Sequence, residues 1–152
     1  MDQFIINLDW QRSSDDFLYD TFNRSHIVYV GGDQAIHNTA ALEYKGDSDM
    51  TNPEELLAAS LASCHMLTFL AVASKTGYVV DNYDCQAEAF LGKNAEGKTC
   101  VTEVTLHPRT VFSGNKNPTI EQLRSLHDKA HKNCFIAQSI HTKVNVSLPQ
   151  EL

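Results

Sequence analysis

No two of the four cysteines, Cys64, Cys85, Cys100 and Cys134, stand in C-x-x-C spacing. That absence argues against a zinc ribbon or a thioredoxin-type motif. Basic residues are also scarce, with 12 Lys and Arg against 19 Asp and Glu in 152 residues, a formal charge of −7. Without a basic stripe, neither a nucleic acid nor an anionic membrane is an expected partner. The first residues, Met1-Asp2-Gln3-Phe4-Ile5-Ile6-Asn7, carry no positive segment and no small-residue cleavage site. A secretory signal is therefore not expected, and the cytoplasm is the default compartment. In a reducing compartment an even cysteine count does not imply a disulfide framework. Repeats and low-complexity tracts are missing too. The 42% hydrophobic and 20% charged content fits one soluble domain spanning residues 1–152.

The longest apolar stretch, Leu56 to Ala73, approaches the length of a membrane span. It is interrupted by Ser60, Ser63, His65 and Thr68 and is rich in alanine, so a buried helix of a soluble protein is the better reading. Its start is well marked. Asn52 is a capping residue, Pro53 suits the first helical position, and Glu54 and Glu55 favour the positive end of the helix dipole. Glu55 lies three residues after Asn52, as in a capping box. The helix is expected from Pro53 to about Thr76, ending at Gly77. Apolar on nearly every face, it belongs at the centre of the fold.

Before this helix the pattern leans toward strand. His26 to Val30 is a short β-rich run stopped by Gly31-Gly32, Ala41 to Lys45 reads as another short strand, and Gly46 to Thr51 as a polar loop. After it, Tyr78 to Leu91 and Thr99 to Phe112 read as two long strands joined by a loose hairpin at 92–98. Pro108 suggests an edge or a bulge. Asn117-Pro118 opens a second helix with an apolar stripe of Ile120, Leu123, Leu126 and Ala130. Thr142 to Leu148 alternates like a closing strand. Strands, helix, hairpin, helix and strand in this order indicate an α+β fold.

Free cysteine by itself is most often a small buried hydrophobe. Cys64 and Cys134 keep more particular company. The run Asn52-Pro53-Glu54-Glu55-Leu56-Leu57-Ala58-Ala59 leading to Cys64 resembles the N-P-E-x-L-x-A-A…C segment of the OsmC/Ohr family, the osmotically inducible and organic hydroperoxide resistance proteins. Ala130-His131-Lys132-Asn133-Cys134 resembles that family's A-H-x-x-C segment, in the same order and at a similar separation. The resemblance extends from about residue 42 to residue 148.

The resemblance implies an OsmC-like α+β fold, with antiparallel sheets packed around a central apolar helix in an intertwined homodimer. It implies a thiol peroxidase without metal or organic cofactor, acting on organic hydroperoxides. Cys64 matches the peroxidatic cysteine, which becomes a sulfenic acid, and Cys134 the resolving cysteine, which closes a disulfide. A dithiol reductant then reopens the bridge. Glu54 matches the glutamate that holds an active-site arginine. Arg24 is the first candidate for that arginine and Arg12 the second. Ten residues separate Glu54 from Cys64, roughly 15 Å along a straight helix. Either the helix breaks around Ser60 to Ser63, or one of the two residues comes from a second subunit.

The sequence departs from the family pattern at Phe135, where a proline often follows the resolving cysteine, and at His65, where an apolar residue often follows the peroxidatic one. His65 either tunes the thiolate or bonds within the core. Cys85 and Cys100 read as structural. Two other functions fit the residues. His127, His131 and Cys134 share one helical face at i, i+4 and i+7, a set suited to zinc, although Asp128 stands where H-E-x-x-H has glutamate. The other is a non-catalytic dimer binding a small hydrophobic ligand between inert thiols.

Overall fold

Three short strands at the N-terminal end pair in chain order. β1 (Asn7–Asp9), β2 (His26–Val30) and β3 (Gln34–Asn38) form an antiparallel sheet in the order β1-β2-β3. The β2–β3 hairpin turns on Gly32 and Asp33, both at positive φ; glycine meets that demand without strain, and aspartate tolerates it better than most residues. The computed structural model describes residues 1–150 and divides into two compact units, Met1–Leu56 and the chain from Leu57 onward. In the first unit Trp10, Phe17, Tyr19 and Phe22 form a tilted aromatic cluster. Asn23 braces the loop around it, accepting from the Ser13 amide and donating to the Gln11 carbonyl, each at 2.9 Å.

The Ala41–Lys45 segment is not a strand. Leu42–Tyr44 makes a single 3₁₀ turn that closes with Lys45 in the left-handed region. Gly46 then passes so near the chain that a Cβ there would fall 1.6 Å from the Ala40 carbonyl oxygen. The tight return explains why a β-leaning composition curls instead of extending.

Helix α1 (Pro53–Lys75) begins as its sequence indicates. Asn52 Oδ1 accepts from the Glu55 amide at 2.9 Å and Glu55 Oε2 accepts from the Asn52 amide at 3.3 Å, a complete capping box. Gly77, at φ +84°, lies just beyond its end. Only one stripe of α1 is buried in the single chain: Ala58, Leu61, His65, Phe69 and Ala73, spaced three or four apart. The flanking positions are only partly buried, and Leu67 is 60% exposed.

In the second unit β4 (Val79–Lys93) and β5 (Thr99–Ser113) form a long antiparallel ribbon. Asn94 shapes its turn by accepting from the Glu96 and Lys98 amides, and Gly97 supplies a positive φ. β6 (Lys143–Val146) adds to β5 in parallel, so this sheet is antiparallel in its hairpin and parallel at its last strand. A parallel neighbour requires a crossover, here made through α2 (Ile120–Asn133). β6 pairs only with Glu103–Leu106. Pro108 therefore sits where β5 has no neighbour on that side, a local edge that suits a residue without an amide hydrogen.

The cap of α2 is Thr119, not Asn117. Its hydroxyl accepts from the Gln122 amide while Gln122 returns a bond to the Thr119 amide. Two apolar clusters fill the second unit. One joins Phe69, Ala73 and Tyr78 to Leu123, Leu126 and Ala130 of α2. The other packs Ala58, Leu61 and Cys134 on Val104 and Leu106 of β5.

Candidate active site

The second unit brings Cys64 and Cys134 into contact. Cys64 lies mid-way along α1, half-buried, whereas Cys134 is the C-terminal cap of α2 and fully buried. Cys64 packs against the cluster that contains Cys134, the two thiols are near enough to shift each other's ionisation, and all four cysteines are unbridged. The chain after Cys134 bends from extended backbone into a 3₁₀ turn at Ala137–Ser139. That bend turns consecutive amides toward the sulfurs. The Ala137 amide donates to Cys134 Sγ at 3.4 Å, and the Phe135 and Ile136 amides on the same bend favour the ionised form of Cys64.

These contacts make the two thiols unequal. Burial opposes ionisation of Cys64, but the Cys134 thiol and the Ile136 and Phe135 amides together outweigh it, and its pKa falls below the ordinary thiol value. Thr68 is a lesser contributor, because its hydroxyl already donates to the Cys64 carbonyl at 2.8 Å. Cys134 moves the other way. Burial raises its pKa, and the bond it gives to Cys64 raises it further, since a donor must keep its proton. The pair is thus one partly exposed sulfur disposed to ionise beside one enclosed sulfur disposed to stay protonated.

Cys64 opens onto a groove of about 730 Å³ that follows one face of α1 past Leu67, Thr68, Ala71 and Val72 to Lys75. Phe135, 83% exposed, forms part of the opposite wall. Cys85 lies away from this opening on β4, where burial and then Asp84 raise its pKa against a bond from His107.

Arg24 and Glu54 belong to the first unit. The Arg24 guanidinium lies 3.6 Å over the Phe22 ring and donates to the carbonyls of Phe22 and Tyr19. Arg12 donates to the carbonyls of Ser14 and Asp15. Glu54 Oε2 is buried without a hydrogen-bond partner, and no ion pair joins Glu54 to Arg24 among the described residues. Helix α1 runs unbroken through Ser60–Ser63, so the expected alternative of a helix break is not realised.

His65 turns inward and bonds in the core. Its Nε2 lies 3.0 Å from Nδ1 of His127, and both rings are almost wholly buried. The ring planes differ by only 4°, with centroids 5.3 Å apart. With the two nitrogens so close, that geometry places the rings edge to edge, the in-plane arrangement a strong imidazole hydrogen bond prefers. Phe69 covers the face of His127 at 4.3 Å. His127 and Cys134, two members of the suspected zinc set, are therefore engaged with His65 and Cys64. Among the described residues no cluster of three or more His, Cys, Asp or Glu side chains is arranged to hold a metal. The amides of Phe135 and Ile136 and the partner His127 were not legible as site groups. Backbone amides carry no residue signature, and His127 reads equally well as one of a helical series.

Comparison with known proteins agrees with this architecture. Residues 46–148 match the family model described as OsmC-like protein. An OsmC-like protein of unknown function from Vibrio cholerae superposes with a TM-score of 0.92 at 38% identity, over 98% of this chain and all of the other. The organic hydroperoxide resistance protein OhrB of Bacillus subtilis shares the fold with a TM-score of 0.71 at 18% identity, covering 97% of this chain and 98% of its own. The uncharacterized protein YmaD of Bacillus subtilis is 22% identical over 107 residues, 70% of this chain and 71% of that protein. With the family model matching well over half of its length and the fold shared from end to end, this chain belongs to the OsmC-like family, which includes organic hydroperoxide resistance proteins.

Proposed function

We propose that this protein is a thiol peroxidase that reduces organic hydroperoxides to alcohols, with Cys64 as peroxidatic and Cys134 as resolving cysteine. The observation that carries this reading is the packing of Cys64, open to a groove, against the cluster that holds the enclosed Cys134, with the two thiols shifted in opposite directions. The Cys64 thiolate attacks the distal oxygen of the O–O bond. That oxygen stays on sulfur as a sulfenic acid, and the departing alkoxide takes a proton and leaves as an alcohol. The Cys134 sulfur then attacks the sulfenic sulfur, forming the disulfide and releasing water. A dithiol reductant restores both thiols and is itself oxidised to a disulfide. The apolar groove beside Cys64 suits an organic rather than a small, fully hydrated peroxide.

The reading includes a cytoplasmic homodimer in which all of residues 1–152 form one functional domain. Two sets of uncovered apolar side chains support association: Phe4, Ile5, Ile6 and Leu8 near the N-terminus, and Leu67 on α1. Because α1 is unbroken, Glu54 and Arg24 are assigned to the Cys64 of the second subunit. There the buried, unpartnered Glu54 carboxylate holds a guanidinium toward the incoming peroxide. Sedimentation at micromolar concentration is expected to give twice the 17.0 kDa chain mass; a monomer at that concentration would remove this part of the reading.

The direct test is thiol mass spectrometry of wild-type protein after one equivalent of cumene hydroperoxide. The expected product is a single Cys64–Cys134 disulfide, with Cys85 and Cys100 reduced. Four unchanged thiols beside unconsumed peroxide would overturn the peroxidase and leave a binding protein on the same scaffold.

A further inference from the structure

We propose that the His65–His127 hydrogen bond is a positioning device that sets α1 against α2 so that Cys64 and Cys134 meet. This rests on the two-cysteine reading of the site, but it concerns how the thiols are held, whatever oxidises them.

The core does not need these imidazoles for burial. Phe69, Ala73, Leu123, Leu126 and Ala130 already bury an apolar seam between the two helices. Apolar contacts are adaptable, because side chains slide and repack at modest cost. Two imidazoles at such a seam are a more demanding choice. In a neutral pair one nitrogen donates and one accepts, so either tautomer leaves one N–H and one lone pair over. The leftover atoms, His65 Nδ1 and His127 Nε2, are buried and without partners. A buried polar atom left unpaired loses its hydration with no bond in return. The arrangement therefore carries a cost that leucine or phenylalanine would avoid.

What it supplies is direction. A hydrogen bond between coplanar rings at 3.0 Å tolerates little sliding or rotation of one helix on the other. Its placement is specific to the thiols. His65 follows Cys64 on α1, and His127 precedes Cys134 by seven residues on α2, roughly 10 Å of helix. The imidazole bond and the thiol contact thus form two separate points of attachment between the same two elements. Fixing the first leaves the second little freedom, and it keeps Cys134 packed against Cys64. Phe69, stacked on His127 from α1, holds the ring plane in which the bond is made.

The test compares His127→Leu, which removes the bond, with His127→Asn, whose amide can occupy the place of Nδ1. His65→Phe, which keeps a ring but no polar atom, serves as an independent breaker. Far-UV circular dichroism and a cooperative melt establish folding. Two quantities are then read: the pH midpoint of Cys64 alkylation by iodoacetamide, and the rate of Cys64–Cys134 disulfide formation driven by diamide. In folded His127→Leu or His65→Phe the midpoint is expected to rise toward the free-thiol value and the rate to fall roughly tenfold or more, as for reacting groups that lose orientation. His127→Asn is expected to recover both to within about twofold of wild type. A wild-type midpoint and rate in the folded breakers would overturn the proposal, even if their melting temperatures fall, and reduce the pair to core packing. If both breakers fail to fold, a folded His127→Asn protein with a raised midpoint and slowed bridging would overturn it instead. Diamide needs no peroxide. Failure of the peroxidase reading, seen as no peroxide loss in wild type, is therefore distinct from failure of this one.

Discussion

Cys64→Ser is expected to abolish hydroperoxide consumption, lowering the second-order rate by on the order of 10³-fold or more, as when a nucleophile is removed. Serine keeps the shape of the side chain but replaces a sulfur that ionises readily with a hydroxyl that does not. Cys134→Ser is expected to behave differently. Its hydroxyl can still donate to the Cys64 sulfur, so the first peroxide is reduced at close to the wild-type rate and the protein stops after one turnover, with sulfenic acid on Cys64. Cys134→Ala removes the donor as well and should slow even that first turnover. Single-turnover stopped-flow measurements with a sulfenic acid trap distinguish the three. The wild-type rate should rise with pH through the Cys64 pKa and level off, with its midpoint below the free-thiol value of about 8.5. Full activity in Cys64→Ser, or an accumulating sulfenic acid on any other cysteine, would sink the assignment.

How much of this was legible in the sequence varied with the range of the forces involved. Both ends of α1 could be read from single residues, because Asn52, Glu55 and Gly77 act through bonds and dihedrals within one turn. The bounds of β2 were likewise set by its own side chains and by Gly31-Gly32. β3 went unread. Gln34-Ala35-Ile36-His37-Asn38 has little strand character of its own and is extended by pairing with β2, a contact that its own composition does not signal. Asn117-Pro118 looked like the start of α2 because it repeats the chemistry of Asn52-Pro53, yet Thr119 and Gln122 form the better reciprocal box. The parallel joining of β6 is a matter of chain path, which the alternation of Val144, Val146 and Leu148 leaves open.

The candidate site shows the same division. Cys64 and Cys134 could be singled out by the motifs around them, but not the direction in which each thiol shifts. That direction comes from amides at Phe135 and Ile136 and from relative burial, both products of the bend after α2. Proline is often found where Phe135 stands in this family. A proline there would have no amide hydrogen to offer Cys64, so the departure has a physical consequence for the thiolate. The apolar character of α1 was plain, but which face meets its own chain was not. Leu61, Phe69 and Ala73 face inward while Leu67 does not, since the inward stripe is chosen by what α2 and the sheet present.

Acid is expected to destabilise the protein well before its carboxylates titrate fully, because the two core histidines resist protonation. Burial, reinforced by the nearby His131, lowers the pKa of His65 to about 4. Burial, reinforced by His65, lowers that of His127 to about 3. The unfolded chain takes up these protons near pH 6.5. Between about 6.5 and these lowered values the unfolded state binds more protons than the folded one, so stability falls as pH falls. The contribution is whole above pH 6.5 and is lost progressively through pH 4 and 3. Each histidine costs about 1.4 kcal/mol per pH unit across that window. At pH 5 that is about 2 kcal/mol each, or roughly 4 kcal/mol for the pair. Set against a total of about 5–15 kcal/mol for a typical domain, this is a large fraction. Urea unfolding at pH 7 and pH 5, at one fixed protein concentration, measures it. The His65→Phe, His127→Leu double variant is the control, since the other histidines titrate identically in both proteins. The wild type should lose several kcal/mol more than the double variant between the two pH values. Equal losses would mean that the buried imidazoles accept protons as readily as exposed ones, and that the seam between α1 and α2 admits water.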